Sequence, residues 1–254
     1  MISNAKVHWV ISLYLAAPQK GWSEIQGANI LVSFSQPRQL RLIQEVNRVG
    51  FRKTMLDSGA FEAWKKGGVL DVERYATYCN KWGIKYDWII APDVIGGSTS
   101  DNLDNLAQFA ALLDKEHGKK LIPVFHEGDD FGLLDACIER GYQYIGLGGT
   151  VNRGKPGLSD WLSKCFERHP PTDKLKYHGL GMTQIRVIVE HAKNLYSVDS
   201  ASWLNLARFG PKDNWYLLKN RSADFWRKVG ILAIEDTIAN GRLDIQSSLL
   251  EFIG

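Results

Sequence analysis

Residues 88–129 read WIIAPDVIGGSTSDNLDNLAQFAALLDKEHGKKLIPVFHEGD. They contain an apolar run, Trp88–Ala91, and a loop with one Pro, one Asp and two glycines. A helical pattern turned inward at Leu103, Leu106, Ala110 and Leu113 follows, and then a second apolar run, Leu121–Phe125. Two short apolar runs joined by an amphipathic helix form a βαβ unit, because parallel neighbours need a crossover of about this length. The pattern repeats on both sides. Further apolar runs lie at Ile30–Phe34, Thr54–Leu56, Tyr144–Leu147, Tyr177–Leu180 and Leu195–Val198. Before Trp88, the residues Val72, Tyr75, Ala76, Cys79 and Trp82 share one helical face, with Asp71 as N-cap and Gly83 just past the end. Leu134, Ala136, Cys137 and Ile138, closed by Gly141, predict the next helix. Thr183 then caps one that carries Ile185, Ile188 and Ala192 inward.

Seven such runs plus an eighth predict an α/β protein of the (β/α)8 TIM-type barrel class rather than an open doubly wound sheet. The eighth strand is expected near Leu204–Phe209 or Trp215–Leu218, and C-terminal helices over about 222–252. The apolar segment Val7–Ala17 reads as a buried first strand in preference to a signal sequence, although Ala16-Ala17 resembles a signal-peptidase site. The stretch before residue 29 is expected to form a short N-terminal hairpin or lid. No low-complexity segment, charge block or Pro-rich linker divides the chain. One domain over 1–254, with a barrel core at about 29–218, is therefore expected.

Composition narrows the function classes. With 254 residues, 44% hydrophobic and 23% charged, the chain is globular, which excludes disordered, collagen-like and disulfide-scaffold proteins. Thirty-one Lys and Arg against 28 Asp and Glu leave a net charge of +3, which neither requires nor forbids a nucleic acid, since a local patch decides that. Cys79, Cys137 and Cys165 have no metal-ligand spacing, and their odd number argues for free thiols in a cytoplasmic protein. Val7–Ala17 is too short to span a bilayer and is broken by His8, so no membrane partner is expected. No Walker, Rossmann or zinc spacing occurs, so neither a cofactor nor a metal is expected.

The residues that follow the runs carry the chemistry. Asp57-Ser58-Gly59-Ala60-Phe61 follows Leu56, and Pro92-Asp93 follows Ala91. His126-Glu127-Gly128-Asp129 follows Phe125, Gly148-Gly149-Thr150 follows Leu147, and Gly181-Met182 and Asp199 close the later runs. In a parallel barrel these carboxyl ends open onto one face, where active sites are built. Each alone has a plain reading: an Asp as helix cap, a Gly as turn, Phe61, Trp64 and Met182 as core. Three aspartates on one rim are less easily explained that way, because like charges held together destabilise a fold. Two carboxylates flanking one bond suit chemistry at an anomeric carbon, one as nucleophile and one as acid/base. A third can bind the donor edge of a guanine-like ring. A phosphorylated-metabolite enzyme, with Gly148-Gly149-Thr150 as phosphate cradle, remains open at this point.

Leu-Asp-Ser-Gly-Ala-Phe-Glu at 56–62 resembles the Asp-Ser-Gly-Gly-Phe/Tyr-Gln motif of the tRNA-guanine transglycosylases. The order that follows is also similar: Asp93, His126 with Gly128, Gly148-Gly149, Met182 and Asp199, over roughly residues 29–210. The resemblance implies Asp199 as the nucleophile of a covalent glycosyl-enzyme and Asp57 as the general acid/base. It implies Asp93, His126, Gly148, Gly149 and Ser58 around the base, with Phe61 and Met182 sandwiching its ring. The tRNA enzymes carry a cysteine-rich zinc site after the nucleophile, and no cysteine follows Asp199 here. The shorter chain without that site is similar to the DNA-guanine transglycosylases of phage and bacterial 7-deazaguanine DNA-modification systems. The expected partners are then DNA with an unpaired or flipped guanine, a free 7-deazaguanine such as preQ0, and proteins of the modification system. A tRNA or other RNA substrate is the alternative. Arg153, Lys155, Arg208 and Lys212, which follow rim motifs, are the candidate phosphate contacts.

Overall fold

The computed structural model describes residues 12–16, 29–45, 51–150, 157–182 and 184–200. Its strands are β1 (Ser12–Ala16), β2 (Asn29–Ser33), β3 (Lys53–Asp57), β4 (Trp88–Ile90), β5 (Leu121–Ile122), β6 (Val124–His126), β7 (Tyr144–Gly148), β8 (Lys176–Gly179) and β9 (Ser197–Ser200). The helices are α1 (Pro37–Glu45), α2 (Ala60–Lys65), α3 (Val72–Trp82), α4 (Thr99–Leu112), α5 (Lys115–Gly118), α6 (Phe131–Glu139), α7 (Leu158–Arg168) and α8 (Ile185–Glu190). The protein is thus α/β. Its strands lie in the order β5-β4-β3-β2-β1-β9-β8-β7-β6, and every pairing is parallel. The expected run 121–125 is split at Pro123, which has no N–H to give a ladder. Its carbonyl still accepts from Gly146 N–H at 2.8 Å.

The start of the chain corrects an expectation. Ser12–Ala16 is not half of a hairpin or a lid. It runs parallel to β2, with Tyr14 opposite Asn29, and parallel to β9, with Tyr14 opposite Asp199. A hairpin strand would have to be antiparallel to its neighbour in sequence. The apolar character of this segment belongs to a sheet strand, and the core reaches further toward the N-terminus than residue 29. The candidate strands in 204–218, the helices in 222–252 and the cap at Thr183 lie outside the described residues.

The helices form where caps and apolar spacing coincide. Asp71 accepts from Arg74 N–H and starts α3, whose Tyr75, Ala76 and Cys79 are buried. Ser98 and Asp101 form a reciprocal capping box for α4. Phe109 of α4 lies in the core beside Leu106 and stacks on Tyr75 with ring centroids 5.0 Å apart. Gly141 ends α6 at φ +90°, a conformation that favours glycine. The three cysteines lie unpaired in the helix–sheet core, where burial raises Cys79 and Cys165 to about 12 and Cys137 to about 11. These thiols are therefore poor nucleophiles.

Alternate strand residues divide between two apolar clusters. Ile30, Val32, Leu56, Ile89, Phe125, Ile145, Leu147, Tyr177 and Val198 pack with the helices. Tyr14, Leu31, Met55, Ile90, Ile122, Val124 and Tyr144 form a second cluster on the other face, which draws on strands from β1 to β7. Because side chains alternate with a period of two, this second face also carries Ser33, Asp57, His126, Gly148, His178, Ser197 and Asp199. Except for Ser197, which opens β9, the polar residues stand at or near the carboxyl ends of the strands. Among the described residues, no helix is long and apolar enough to cross a membrane.

Candidate active site

Asp57 ends β3, where its backbone carbonyl accepts from Phe34 N–H at 2.8 Å. Burial is the main force that pushes its carboxyl up, to about 6, and the charges of Asp199 and Asp93 add to it. Hydrogen bonds from the Ser33 hydroxyl and the Gly59 N–H act in the opposite direction. Asp57 therefore feels the charge of Asp199, 142 residues further along the chain (199 minus 57), and that of Asp93. Gly59 makes the turn out of β3 at φ +79°, and a Cβ there would lie 2.7 Å from Ser35 Cβ. Both the backbone angle and the space select glycine. Ser58 is buried, and its Oγ accepts from Ala60 N–H at 3.2 Å, so it shapes the turn rather than facing the rim.

Asp93 follows β4 on a loop pinned by α4. Asn105 donates to Pro92 O at 2.7 Å, and Asn102 Oδ1 accepts from Val94 N–H at 2.9 Å. The Asp93 side chain is 10% exposed, and its Oδ2 makes no hydrogen bond among the described residues. Its nearest cationic partner is His126 Nε2, at 3.4 Å. Burial raises the Asp93 carboxyl, opposed by His126 and reinforced by Asp129. His126 sits between two carboxylates, with Nδ1 3.6 Å from Asp129 Oδ2 and its backbone N–H donating to the same oxygen at 2.8 Å. Burial pulls the imidazole down, but the Asp129 carboxylate, which accepts from the ring, and the charges of both aspartates outweigh it, and the net direction is up. His126 therefore holds its proton more tightly than a free histidine.

The glycines of β7 have steric reasons. A Cβ on Gly148 would lie 2.3 Å from His126 Cδ2, so the imidazole lies against this residue. Gly149 has φ +80°, with the Glu127 backbone and Cβ 3.1 Å from any added Cβ. The Thr150 hydroxyl donates to Leu180 O. That bond takes one donor away from the phosphate-cradle reading of Gly148-Gly149-Thr150.

Asp199, on β9, is held at one oxygen. Its Oδ1 accepts from Gly181 N–H at 2.8 Å and lies 3.1 Å from His178 Nε2. No hydrogen bond to Oδ2 forms among the described residues. His178, Ser197 and Tyr144 continue inward as a buried polar chain, which the sequence reading did not single out. Ser33 beside Asp57 and Asp129 beside His126 were also missed. A signal for His178 existed: it follows the core-facing Tyr177, so strand parity turns it toward Asp199.

Two aromatic assignments separate. Phe61 and Trp64 on α2 are 42% and 53% exposed and stack at 5.9 Å, with Lys65 Nζ 5.6 Å from the Phe61 ring. Met182 is fully buried in the helix–sheet core, and its Cε would lie 2.7 Å from a Cβ on Gly179. This corrects the expected sandwich, because Met182 offers no open face to a ring, and its apolar side chain is accounted for by core packing. Arg153, Lys155, Arg208 and Lys212 lie outside the described residues. Among the described residues, no group of three or more His, Cys, Asp or Glu is arranged to hold a metal ion. No protein-family model matches this chain, and a search of curated proteins finds no match.

Proposed function

We propose that the protein is a guanine transglycosylase that exchanges guanine in DNA for a 7-deazaguanine of the preQ0 type. The observation that carries this reading is the pairing of two unlike carboxylates on one sheet face. Asp57 is raised to about 6, within reach of a proton at neutral pH, and Asp199 is anchored by two N–H groups at one oxygen. Environments that set two carboxylates apart assign acid/base and nucleophile. The sheet reads best as a closed (β/α)8 barrel. Its outermost strands, β5 and β6, are consecutive pieces of one run, and the second apolar cluster joins β4 and β5 at one end of that order to β7 and β6 at the other.

In the proposed reaction, Asp199 Oδ2 attacks C1′ of the target nucleoside. The C1′–N9 bond breaks toward the base, and guanine leaves with a proton from the Asp57 carboxyl. A C1′–O ester to Asp199 joins sugar and protein. The Asp57 carboxylate then takes the N9 proton of the incoming 7-deazaguanine, N9 attacks C1′, and the ester bond breaks to free Asp199. One glycosidic bond is exchanged for another, so no external energy source enters. Asp93 Oδ2, which lacks a hydrogen bond, suits the N1–H and amine edge of the base. Protonated His126 suits the ring carbonyl.

The test is incubation of the purified chain with duplex DNA, single-stranded DNA and tRNA, each with preQ0, followed by nucleoside mass spectrometry. Modified deoxynucleoside from wild type and none from Asp199→Ala is the expected result. Modification of tRNA alone would keep the chemistry and reject the DNA substrate. No product on any nucleic acid from folded protein would reject the exchange reaction.

A further inference from the structure

Behind Asp199 lies a polar chain that the exchange reaction does not itself require. His178 is fully buried on β8, and its ring stands edge-on to Tyr14 at 5.7 Å and to Tyr144 at 6.2 Å. Its Nδ1 lies 2.5 Å from Ser197 Oγ, and that oxygen lies 2.5 Å from the Tyr144 hydroxyl. Its Nε2 lies 3.1 Å from Asp199 Oδ1. Three polar side chains in a face otherwise filled by Leu31, Met55, Ile90, Ile122 and Val124 are unfavourable unless they are mutually satisfied.

One arrangement of protons uses every donor. The Tyr144 hydroxyl has no other hydrogen-bond partner among the described residues, so it donates to Ser197 Oγ. Ser197 then gives its single proton to His178 Nδ1, and His178 keeps its own proton on Nε2 for Asp199. Tyr144 stays protonated to donate, since burial above all holds its phenol well above the usual range. The chain contains the Ser–His–Asp residue types of a hydrolase, but its polarity is reversed. Ser197 is fully buried, and Asp199 is the member nearest the rim.

We infer that His178 is a positioning residue for Asp199, fixed as the Nε2–H tautomer by Ser197 and Tyr144. Together with the Gly181 N–H it pins Oδ1 and leaves Oδ2 directed at the substrate carbon. This rests on the reading of Asp199 as the nucleophile. A carboxylate that rotates freely would present its attacking oxygen in the right place for only part of the time. Misplacement by about 1 Å can reduce a rate by about 10²-fold.

Two measurements on the full chain test this. The first is ¹⁵N–¹H long-range NMR of histidine-labelled protein without nucleic acid, with His178→Gln assigning the signal. The expected spectrum shows Nε2 protonated and Nδ1 bare, with an Nε2 shift in Asp199→Ala and an Nδ1 shift in Ser197→Ala. A proton on Nδ1, or an Nε2 signal indifferent to Asp199→Ala, would overturn the inference. This readout needs no turnover, so it decides the link even if base exchange itself fails.

The second measurement compares His178→Gln, whose amide can still reach Asp199, with His178→Asn, whose shorter side chain keeps only the Ser197 contact. His178→Asn is expected to lose ~10²-fold in kcat with KM within about threefold, and His178→Gln to recover most of that loss. Equal kcat in the two variants, at comparable thermal stability, would make His178 a packing residue only.

Discussion

Asp57 and Asp199 stand on the same sheet face, at the carboxyl ends of β3 and β9, and the fold treats them in opposite ways. Asp57 is pressed by burial and by two neighbouring carboxylates, and it is relieved by one hydroxyl and one backbone N–H. Asp199 rests on a histidine and a backbone N–H, with a polar chain behind it. In the proposed reaction, one residue type thus supplies both a group that exchanges protons near neutrality and a group held still for attack. What separates them is the neighbours: Asp93 lies on the side of Asp57, and His178 on the side of Asp199.

The sharpest way to break this contrast is to remove the attacking group. Asp199→Ala should reduce base exchange by at least about 10⁴-fold, the scale seen when a nucleophile is lost. Its circular dichroism should stay folded. Retained exchange in this variant would give the nucleophile's role to another residue.

Asp57→Asn should affect activity and stability in opposite directions. Exchange should fall by about 10²–10⁴-fold, the usual contribution of a general acid/base. Because folding raises the Asp57 carboxyl from 3.8 to about 6, the fold favours its protonated form. Its stabilising contribution is complete below about 3.8 and is lost as pH rises through about 6. At pH 7 the ionised carboxylate is a burden on the order of 2–3 kcal/mol, which the neutral amide removes. Urea unfolding at pH 7 should therefore show a more stable Asp57→Asn protein, and the difference should vanish near pH 4. A destabilised variant at pH 7 would contradict the upward shift of Asp57, which burial chiefly causes.

The pH profile sharpens the same point. In the proposed reaction Asp57 must be protonated to release guanine and ionised to take the proton of the incoming base, so exchange should rise and then fall with pH about a maximum near pH 6. His126, shifted upward, would serve the ring carbonyl in its charged form, so His126→Gln should weaken base binding and leave that maximum in place.

Smaller effects are expected at the edges of the site. Gly148→Ala would push the His126 ring away from Asp93, with about 1–3 kcal/mol of lost stability. Phe61→Ala should leave the melting temperature nearly unchanged, because the ring is largely exposed. It should weaken binding by about 1–3 kcal/mol if a base stacks there. Unchanged affinity would remove Phe61 from the site and leave the Phe61–Trp64 stack as a surface feature.

Much of the fold was legible in the residue order, for reasons that are local. Apolar runs at 30–34, 88–91 and 144–147 alternating with capped amphipathic helices leave few options except parallel strands. Asp71 before α3 and Gly141 after α6 mark element ends through hydrogen bonding and φ angle, which depend on near neighbours alone. The N-terminal strand was harder. Whether Ser12–Ala16 pairs as a hairpin or joins the parallel sheet depends on β9, which lies more than 180 residues away in sequence. Met182 was misread because a buried methionine and a ring-stacking one have the same sequence signature. His178 was missed because strand parity places it on the face of Asp199 without showing that Ser197 and Tyr144 stand beside it.

The sequence by itself determined the α/β class, the strand-end positions of Asp57, Asp93, His126 and Asp199, and the glycine turns that follow them. These depend on short-range sterics, hydrogen bonding and hydrophobic period. Only the tertiary structure decided that Asp57 feels the charges of Asp93 and Asp199, that His126 lies between Asp93 and Asp129, and that Asp199 is pinned at a single oxygen. Those are through-space relations between residues distant in the chain, and electrostatic and hydrogen-bond energies depend on distance in space.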